Sequence, residues 1–296
     1  MITKEIDALI GRALKEDLPA GDITSQSLIP PKKLARALLM AKGKGILAGM
    51  DIACRVFKKL DPWTSFNRHL SDGQLFERGD VLAEIEGKAV VILKGERTAL
   101  NFLQRMSGIA TLTREFVDAA AGTKAKILDT RKTTPGLRVL EKCAVRMGGG
   151  QNHRMDLSSM VLIKDNHLIV EQDIGKAVRR ARQKIKRGIL VEVEVTSFAQ
   201  AQTAVQAGAD WIMLDNMPLA AMRRVVAWVA GRAKIEASGN VDLAHVRQIA
   251  RTGVDYISVG RLTHSPASVD ISLEFLGELG HDIPRAEFSA PARRSR

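Results

Sequence analysis

Residues 189–217, ILVEVEVTSFAQAQTAVQAGADWIMLDNM, read as a strand, a helix and a second strand. A β-branched run gives way to small residues at helical spacing, then to a glycine, an acidic turn and another apolar run. The pattern recurs in both directions. Aliphatic runs AKILDT (125–130), MVLIKDN (160–166), KIEASG (234–239) and YISVG (256–260) alternate with the helical stretches 138–148, 171–185, 218–231 and 241–253. The turn pattern GADWI (208–212) returns as GVDYI (253–257). Strand then helix, repeated at a spacing of roughly twenty residues, predicts a parallel sheet with right-handed crossovers. The number of such runs in line favours a barrel over a doubly wound sheet. No GxGxxG follows the first strand and no GxxxxGK[ST] occurs, which argues against dinucleotide and P-loop folds.

Toward the N-terminus the texture differs. An amphipathic helix over 6–16 precedes alternating segments such as RALLMAKGKGILAG (36–49) and VLAEIEGKAVVI (81–92), with DG and RGD turns, the texture of a small helix-and-sheet domain. From Glu96 a long helical run extends to a stop at Gly122, with Gly108 an exposed weakness that divides it into two helices. The expected division is therefore an α+β domain over 1–108, an α/β barrel over 109–270, and a last segment, 271–296, whose ending PARRSR is frayed.

Composition narrows the class. With 45% apolar and 26% charged residues, 296 residues suffice for a full-sized core. No apolar stretch is long enough to span a bilayer and the charged start does not read as a signal peptide, so no membrane association and a cytoplasmic location are expected. Cys54 and Cys143 form no metal or disulfide spacing and read as small buried hydrophobes. A net charge of +12 fits a nucleic-acid surface or a pocket for small polyanions. Its dispersal along the chain, 4% aromatic content and the lack of any helix-turn-helix or zinc spacing argue against nucleic acid.

In such barrels the active site lies at the carboxyl ends of the strands. Those ends carry Asp129, Thr130, Arg131 and Lys132; Lys164, Asp165 and Asn166; Glu192 and Glu194; Asp215 and Asn216; Glu236 and Ser238; Gly260 and Arg261. So many charges at one rim desolvate one another unless a ligand neutralises them. Arg131, Lys132, His153, Arg154 and Lys164 describe a pocket for a compact ligand with more than one anionic group. Glu194 and Asp215, on successive strands, suit magnesium beside a diphosphate, or alternatively pair with the pocket lysines. Asp165 and Asn216 also read as helix caps, and His167 as a rim ligand or a cap. The glycine-rich turns GGGQNHR, ASGN and SVG suit phosphate bound through backbone N–H groups.

The segments ERTALNFLQRMSGIAT (96–111), DTRKTTPGLR (129–138), GGGQNHR (148–154), LIKDNH (162–167), EVEV (192–195), MLDNM (213–217), EASGN (236–240) and YISVG (256–260) closely resemble the quinolinate phosphoribosyltransferases. The likeness runs from GDIT at Gly21 to THS at Thr263. It implies an incomplete, TIM-like α/β barrel preceded by a mixed α+β sandwich domain to which the last segment returns. The implied substrates are quinolinate and 5-phosphoribosyl 1-pyrophosphate, with Mg2+ as cofactor. The implied assembly is a homodimer, with any higher oligomer left open, in which Arg97 is contributed across the interface.

By matching motif, Arg131, His153, Arg154 and Lys164 resemble the quinolinate-binding group, with Thr130 beside them and Lys132 close to both substrates. Glu194 and Asp215 match the residues that engage the ribose hydroxyls and magnesium, directly or through water. Ser238, Gly239, Asn240, Val259, Gly260 and Arg261 fall in the phosphate-binding loops, and Lys132, Lys164, Glu194 and Asp215 would carry catalysis. Two positions depart from the family pattern: Cys143 stands where tyrosine is common, and Arg261 where a small residue is common, so that Arg261 is expected to tighten phosphate binding. The competing readings are a transferase for nicotinate or another small anionic heterocycle, and a barrel lyase with Lys164 as Schiff base.

Overall fold

The computed structural model describes residues 2–278. Among the described residues two compact units emerge, one comprising residues 2–112, 139–148 and 266–278 and the other 113–138 and 149–265. The expected frayed tail lies outside the described residues.

In chain order the elements are α1 (Lys4–Asp17), α2 (Ile23–Leu28), β1 (Leu34–Ala41), β2 (Gly45–Ile46), α3 (Met50–Leu60), β3 (Ser65–Arg68), β4 (Leu75–Phe76), β5 (Val81–Lys88) and α4 (Ala89–Ala119). Then follow β6 (Lys126–Leu128), α5 (Arg138–Met147), β7 (Val161–Ile163), α6 (Asp165–Glu171), α7 (Ile174–Lys184), β8 (Val191–Val195) and α8 (Phe198–Gln206). The chain continues with β9 (Trp211–Asp215), α9 (Leu219–Val229), β10 (Lys234–Ser238), α10 (Val246–Ala250), β11 (Tyr256–Ser258), α11 (Arg261–His264) and β12 (Ile271–Glu278). None of the described helices is long and apolar enough to cross a membrane.

The first unit holds an antiparallel sheet in the order β12-β1-β5-β3 and a small β2-β4 ribbon. The last described strand thus pairs with the first, from Ala41↔Ile271 to Ala35↔Glu278. The apolar side chains of α3 turn inward, Ile52, Ala53, Val56 and Phe57 being buried, and Phe57 meets Phe66 of β3 at 6.1 Å between ring centroids.

Three expectations are corrected by the structure. The alternation of VLAEIEGKAVVI breaks at Lys88, and helix begins at Ala89 despite the β-branched Val90 and Val91, because Ala89, Ile92, Ala99 and Leu103 are buried at helical spacing. The helix then runs to Ala119 without division at Gly108. Gly108 is buried and not exposed, and a Cβ there would lie 2.0 Å from the Ala267 carbonyl oxygen. The glycine permits a close backbone approach. Gly95 likewise leaves space for the Phe57 ring, which a Cβ would meet at 2.7 Å. Cys54 and Cys143 are free thiols and half-buried, not the fully buried residues expected.

The second unit is the barrel. Its parallel strands stand in the order β6-β11-β10-β9-β8-β7. The first strand lies beside the last, as closure requires, through Lys126↔Tyr256, Ile127↔Ile257 and Leu128↔Ser258. The opening lies between β6 and β7, where only an isolated bridge, Leu128↔Gln151, continues the ladder on the β6 side. The fold is therefore an incomplete α/β barrel with an N-terminal sandwich. Side chains alternate along each strand, so Val191, Val193 and Val195 are buried toward one face while Glu192 and Glu194 share the other.

Candidate active site

The loop in the barrel opening is clamped to β6. Asp129, fully buried, accepts a hydrogen bond from the His153 backbone N–H at 2.9 Å and another from the Asn152 side-chain amide. The Asp129 N–H in turn donates to Gln151 O at 3.1 Å, and Gln151 N–H to Ile127 O at 2.8 Å. This carboxylate fixes the entry of the GGGQNHR loop and with it His153 and Arg154. The sequence places Asp129 at the rim; its clamping role depends on a loop that is distant along the chain.

Arg154 donates from Nη1 to Met160 O at 2.9 Å. Its guanidinium is pushed below its ordinary pKa, first by burial and then by the neighbouring charge of Arg131. Arg131 Nε is itself buried without a protein hydrogen-bond partner. Two guanidiniums that repel each other, one with an orphaned donor, are costly in the free protein, and a ligand with clustered negative charge relieves both penalties.

Lys164 follows β7 and lies 3.4 Å from Glu194 Oε2 on the neighbouring β8, its side chain 44% exposed. The alternative pairing of a rim acid with a pocket lysine is thus present in the free protein, and such a half-exposed pair is weak enough for a ligand to displace. His167 acts as a cap, its Nδ1 accepting from the Lys164 backbone N–H at 2.9 Å. Asp165 is the first residue of α6 and not its N-cap, which is Lys164.

Asp215 ends β9 and Asn216 follows it. Asn216 does not cap α9, whose N-cap is Pro218. It has left-handed backbone (φ 49°) and its side chain links two loops, donating to Asp215 Oδ2 at 3.0 Å and accepting from Asn240 Nδ2 at 3.0 Å. Gly239 (φ 94°) lies directly against it, since a Cβ there would come within 2.4 Å of the Asn216 amide. Ser238 closes β10 in register with Asp215.

Around β11, Val259 is buried and its N–H donates to Leu128 O at 2.9 Å. Gly260 faces the Lys132 stem, which a Cβ would meet at 3.1 Å. Lys132 is exposed, its backbone held by Thr130 Oγ1 at 3.0 Å from its N–H and by the Thr263 hydroxyl at 2.8 Å from its carbonyl. Sequence reasoning missed Thr263, which is fully buried; its place in the THS segment was the available signal. Arg261 is exposed at the start of α11. Arg97 is exposed on α4 of the first unit.

The largest departure concerns Glu192 and Glu236, expected at the rim with the other charges. Both side chains are fully buried. Glu192 lies two residues before Glu194 and Glu236 two before Ser238, so the strand period turns each inward one layer below the rim. His153 Nε2 lies 2.8 Å from Glu192 Oε2 and 3.6 Å from Glu236 Oε2. Burial pushes the Glu192 carboxyl up to about 7. Burial, with the adjacent Glu192 charge, pushes Glu236 up to about 8. Both Glu236 oxygens lack a donor, and a proton on Glu236 would turn one of them into a donor toward Glu192. Among the described residues, His153, Glu192 and Glu236 form a cluster whose ligand atoms lie within 4.8 Å of one another and could hold a metal ion.

Raised carboxyl pKa values mean that the folded protein binds more protons than the unfolded chain. Stability from this pair is present below the unfolded value near 4.5 and is lost as pH rises through about 7 and about 8. Unfolding free energy is therefore expected to fall from about pH 4.5 to about pH 8, by about 1 kcal/mol per pH unit for each group still protonated in the folded state, and to level off above that. Glu236→Gln should flatten that slope, and an unchanged slope would refute the assignment.

Comparison with known proteins agrees with this geometry. Residues 22–107 match the N-terminal domain of quinolinate phosphoribosyl transferase and residues 109–274 match its C-terminal domain. A probable carboxylating nicotinate-nucleotide pyrophosphorylase of Bacillus subtilis is 43% identical over 91% of this chain and 93% of its own. A mitochondrial decarboxylating quinolinate phosphoribosyltransferase of Nicotiana tabacum is 41% identical over 96% of this chain and 86% of its own. The crystal structure of NadC from Streptococcus pyogenes superposes with a TM-score of 0.90 at 41% identity, covering 94% of this chain and 99% of that one. The protein is an enzyme of the quinolinate phosphoribosyltransferase family.

Proposed function

We propose that the protein transfers the phosphoribosyl group of 5-phosphoribosyl 1-pyrophosphate to the ring nitrogen of quinolinate with decarboxylation, giving nicotinate mononucleotide, carbon dioxide and pyrophosphate in de novo NAD biosynthesis. The observation that carries the reading is the Arg131–Arg154 pair, in which an orphaned buried guanidinium donor lies close to a second, partly desolvated guanidinium. Such a pair suits two adjacent carboxylates better than the single carboxylate of nicotinate.

In this reading Arg131, Arg154, His153 and Lys164 bind the diacid, with Arg97 supplied across a homodimer interface, and residues 109–270 form the catalytic barrel. The nitrogen lone pair forms the bond to the anomeric carbon as the carbon–oxygen bond to pyrophosphate breaks. Glu194 and Asp215 orient the ribose and stabilise positive charge at that carbon, while Lys132 and Lys164 face the departing diphosphate. The carbon–carbon bond to the carboxylate beside the nitrogen then breaks, carbon dioxide leaves, and the electron pair retained by the ring takes up a proton. The loops at Ser238, Gly239, Asn240 and Gly260 receive phosphate through backbone N–H groups, and Val259, whose own N–H is bonded to Leu128 O, holds the second loop to β6.

Magnesium fits Glu194 and Asp215, half-buried oxygen donors on adjacent strands, of the kind that the ion takes together with retained waters. The buried His153–Glu192–Glu236 cluster is too enclosed for a hydrated magnesium ion. When bound, the ion supplies charge neutralisation for the diphosphate.

The test is product analysis with quinolinate, phosphoribosyl pyrophosphate and magnesium, run beside nicotinate. Equimolar nicotinate mononucleotide, carbon dioxide and pyrophosphate from quinolinate alone is the expected result; product from nicotinate without decarboxylation would refute it. Arg261→Ala should raise the KM for phosphoribosyl pyrophosphate by about 3-fold to 10-fold, the loss of one exposed charged contact. An unchanged KM would remove Arg261 from the phosphate site.

A further inference from the structure

We infer that Glu192 is a positioning residue, which holds the His153 imidazole from beneath the rim and through it sets the affinity for the pyridine diacid. The inference rests on the transferase reading and adds to it a residue that never touches substrate.

His153 is confined on several sides. Its backbone N–H is bound to Asp129, its Nε2 stands 2.8 Å from Glu192 Oε2, and its ring meets Trp211 edge-on at 6.1 Å and 87°. Trp211 is in turn stacked on Tyr256 at 4.4 Å and 9°. The His153 side chain is 6% exposed and that of Glu192 fully buried. A hydrogen bond in such a setting is strong, and removing one partner leaves the other desolvated. Glu192 thus ties the ring to the barrel wall at hydrogen-bond distance.

The same atoms could be read as metal ligands. The 2.8 Å separation of Nε2 from Oε2 is an ordinary hydrogen-bond length. Ligand atoms around a tetrahedral ion with bonds near 2.0 Å stand about 3.3 Å apart. The hydrogen-bonded arrangement is therefore the better fit.

A double-mutant cycle on the full-length protein tests the inference. Glu192→Ala should raise the KM for quinolinate by about 10-fold, the loss of one charge-assisted hydrogen bond, with the KM for phosphoribosyl pyrophosphate within about twofold of wild type. In a His153→Ala background the same substitution should change the quinolinate KM no further, because Glu192 acts through the ring. Additive effects, or an equal rise in both KM values, would overturn the proposal.

A second measurement reads the wild-type ring directly. Nitrogen-15 NMR of the imidazoles should show a His153 Nε2 that carries a slowly exchanging proton, assigned by its absence from His153→Ala. An unprotonated Nε2, or one equivalent of bound metal that Glu192→Ala releases, would also overturn it. Lack of turnover by the wild-type protein would instead count against the transferase reading, and the NMR result would still decide whether Glu192 holds the ring.

Discussion

Arg154→Ala is expected to lower kcat/KM for quinolinate by about 100-fold, within the range for loss of hydrogen bonds to a charged group. The guanidinium is a planar fork that matches a carboxylate, it is partly desolvated, and it stands close to Arg131. Arg154→Lys should recover only part of the loss, because a point charge cannot reproduce two parallel N–H donors. The effect should fall on the quinolinate KM and spare that of phosphoribosyl pyrophosphate. Stability should move little, because truncation relieves the repulsion with Arg131 while it removes the bond to Met160 O. A quinolinate KM within twofold of wild type would exclude Arg154 from the diacid pocket.

Gly108→Ala should destabilise the protein by about 3 kcal/mol and lower the melting temperature by about 5 °C. Helix propensity alone predicts the opposite sign, since alanine is favoured over glycine in a helix interior by about 1 kcal/mol. The packing decides: a Cβ at Gly108 would lie 2.0 Å from a backbone carbonyl oxygen, that of Ala267, and 3.0 Å from its carbon. Backbone cannot swing aside as a side chain can. Gly122 provides the contrast, because a Cβ there meets nothing within 4 Å and its left-handed φ of 79° leaves only a conformational cost of about 1 to 2 kcal/mol. A melting curve in which Gly108→Ala is the milder of the two substitutions would refute this reading of α4.

The second unit was readable because each barrel strand is a short apolar run ending in polar chemistry. Runs 125–130, 160–166, 189–195, 211–217, 234–239 and 256–260 all contain the strands found. The first unit was harder. VLAEIEGKAVVI contains both the end of β5 and the start of α4, and β-branched residues are ambiguous between strand and buried helix. Segment 138–148 was correctly helical, but its grouping with the first unit follows from contacts that no local pattern encodes.

The sequence by itself determined the alternation of strands and helices in the barrel, the closing glycines and the family resemblance, because these depend on residues within a few positions of one another or on motifs read in line. Only the tertiary structure decided which charges meet. It drew Glu192 and Glu236 below the rim beside His153, paired Lys164 with Glu194, and bound the loop at His153 to Asp129. It also turned Gly108 from a weak point into a contact surface. Side-chain period two says that Glu192 and Glu194 share a face; the height of each along the barrel axis, and so its burial, is set by register with strands far away in the chain.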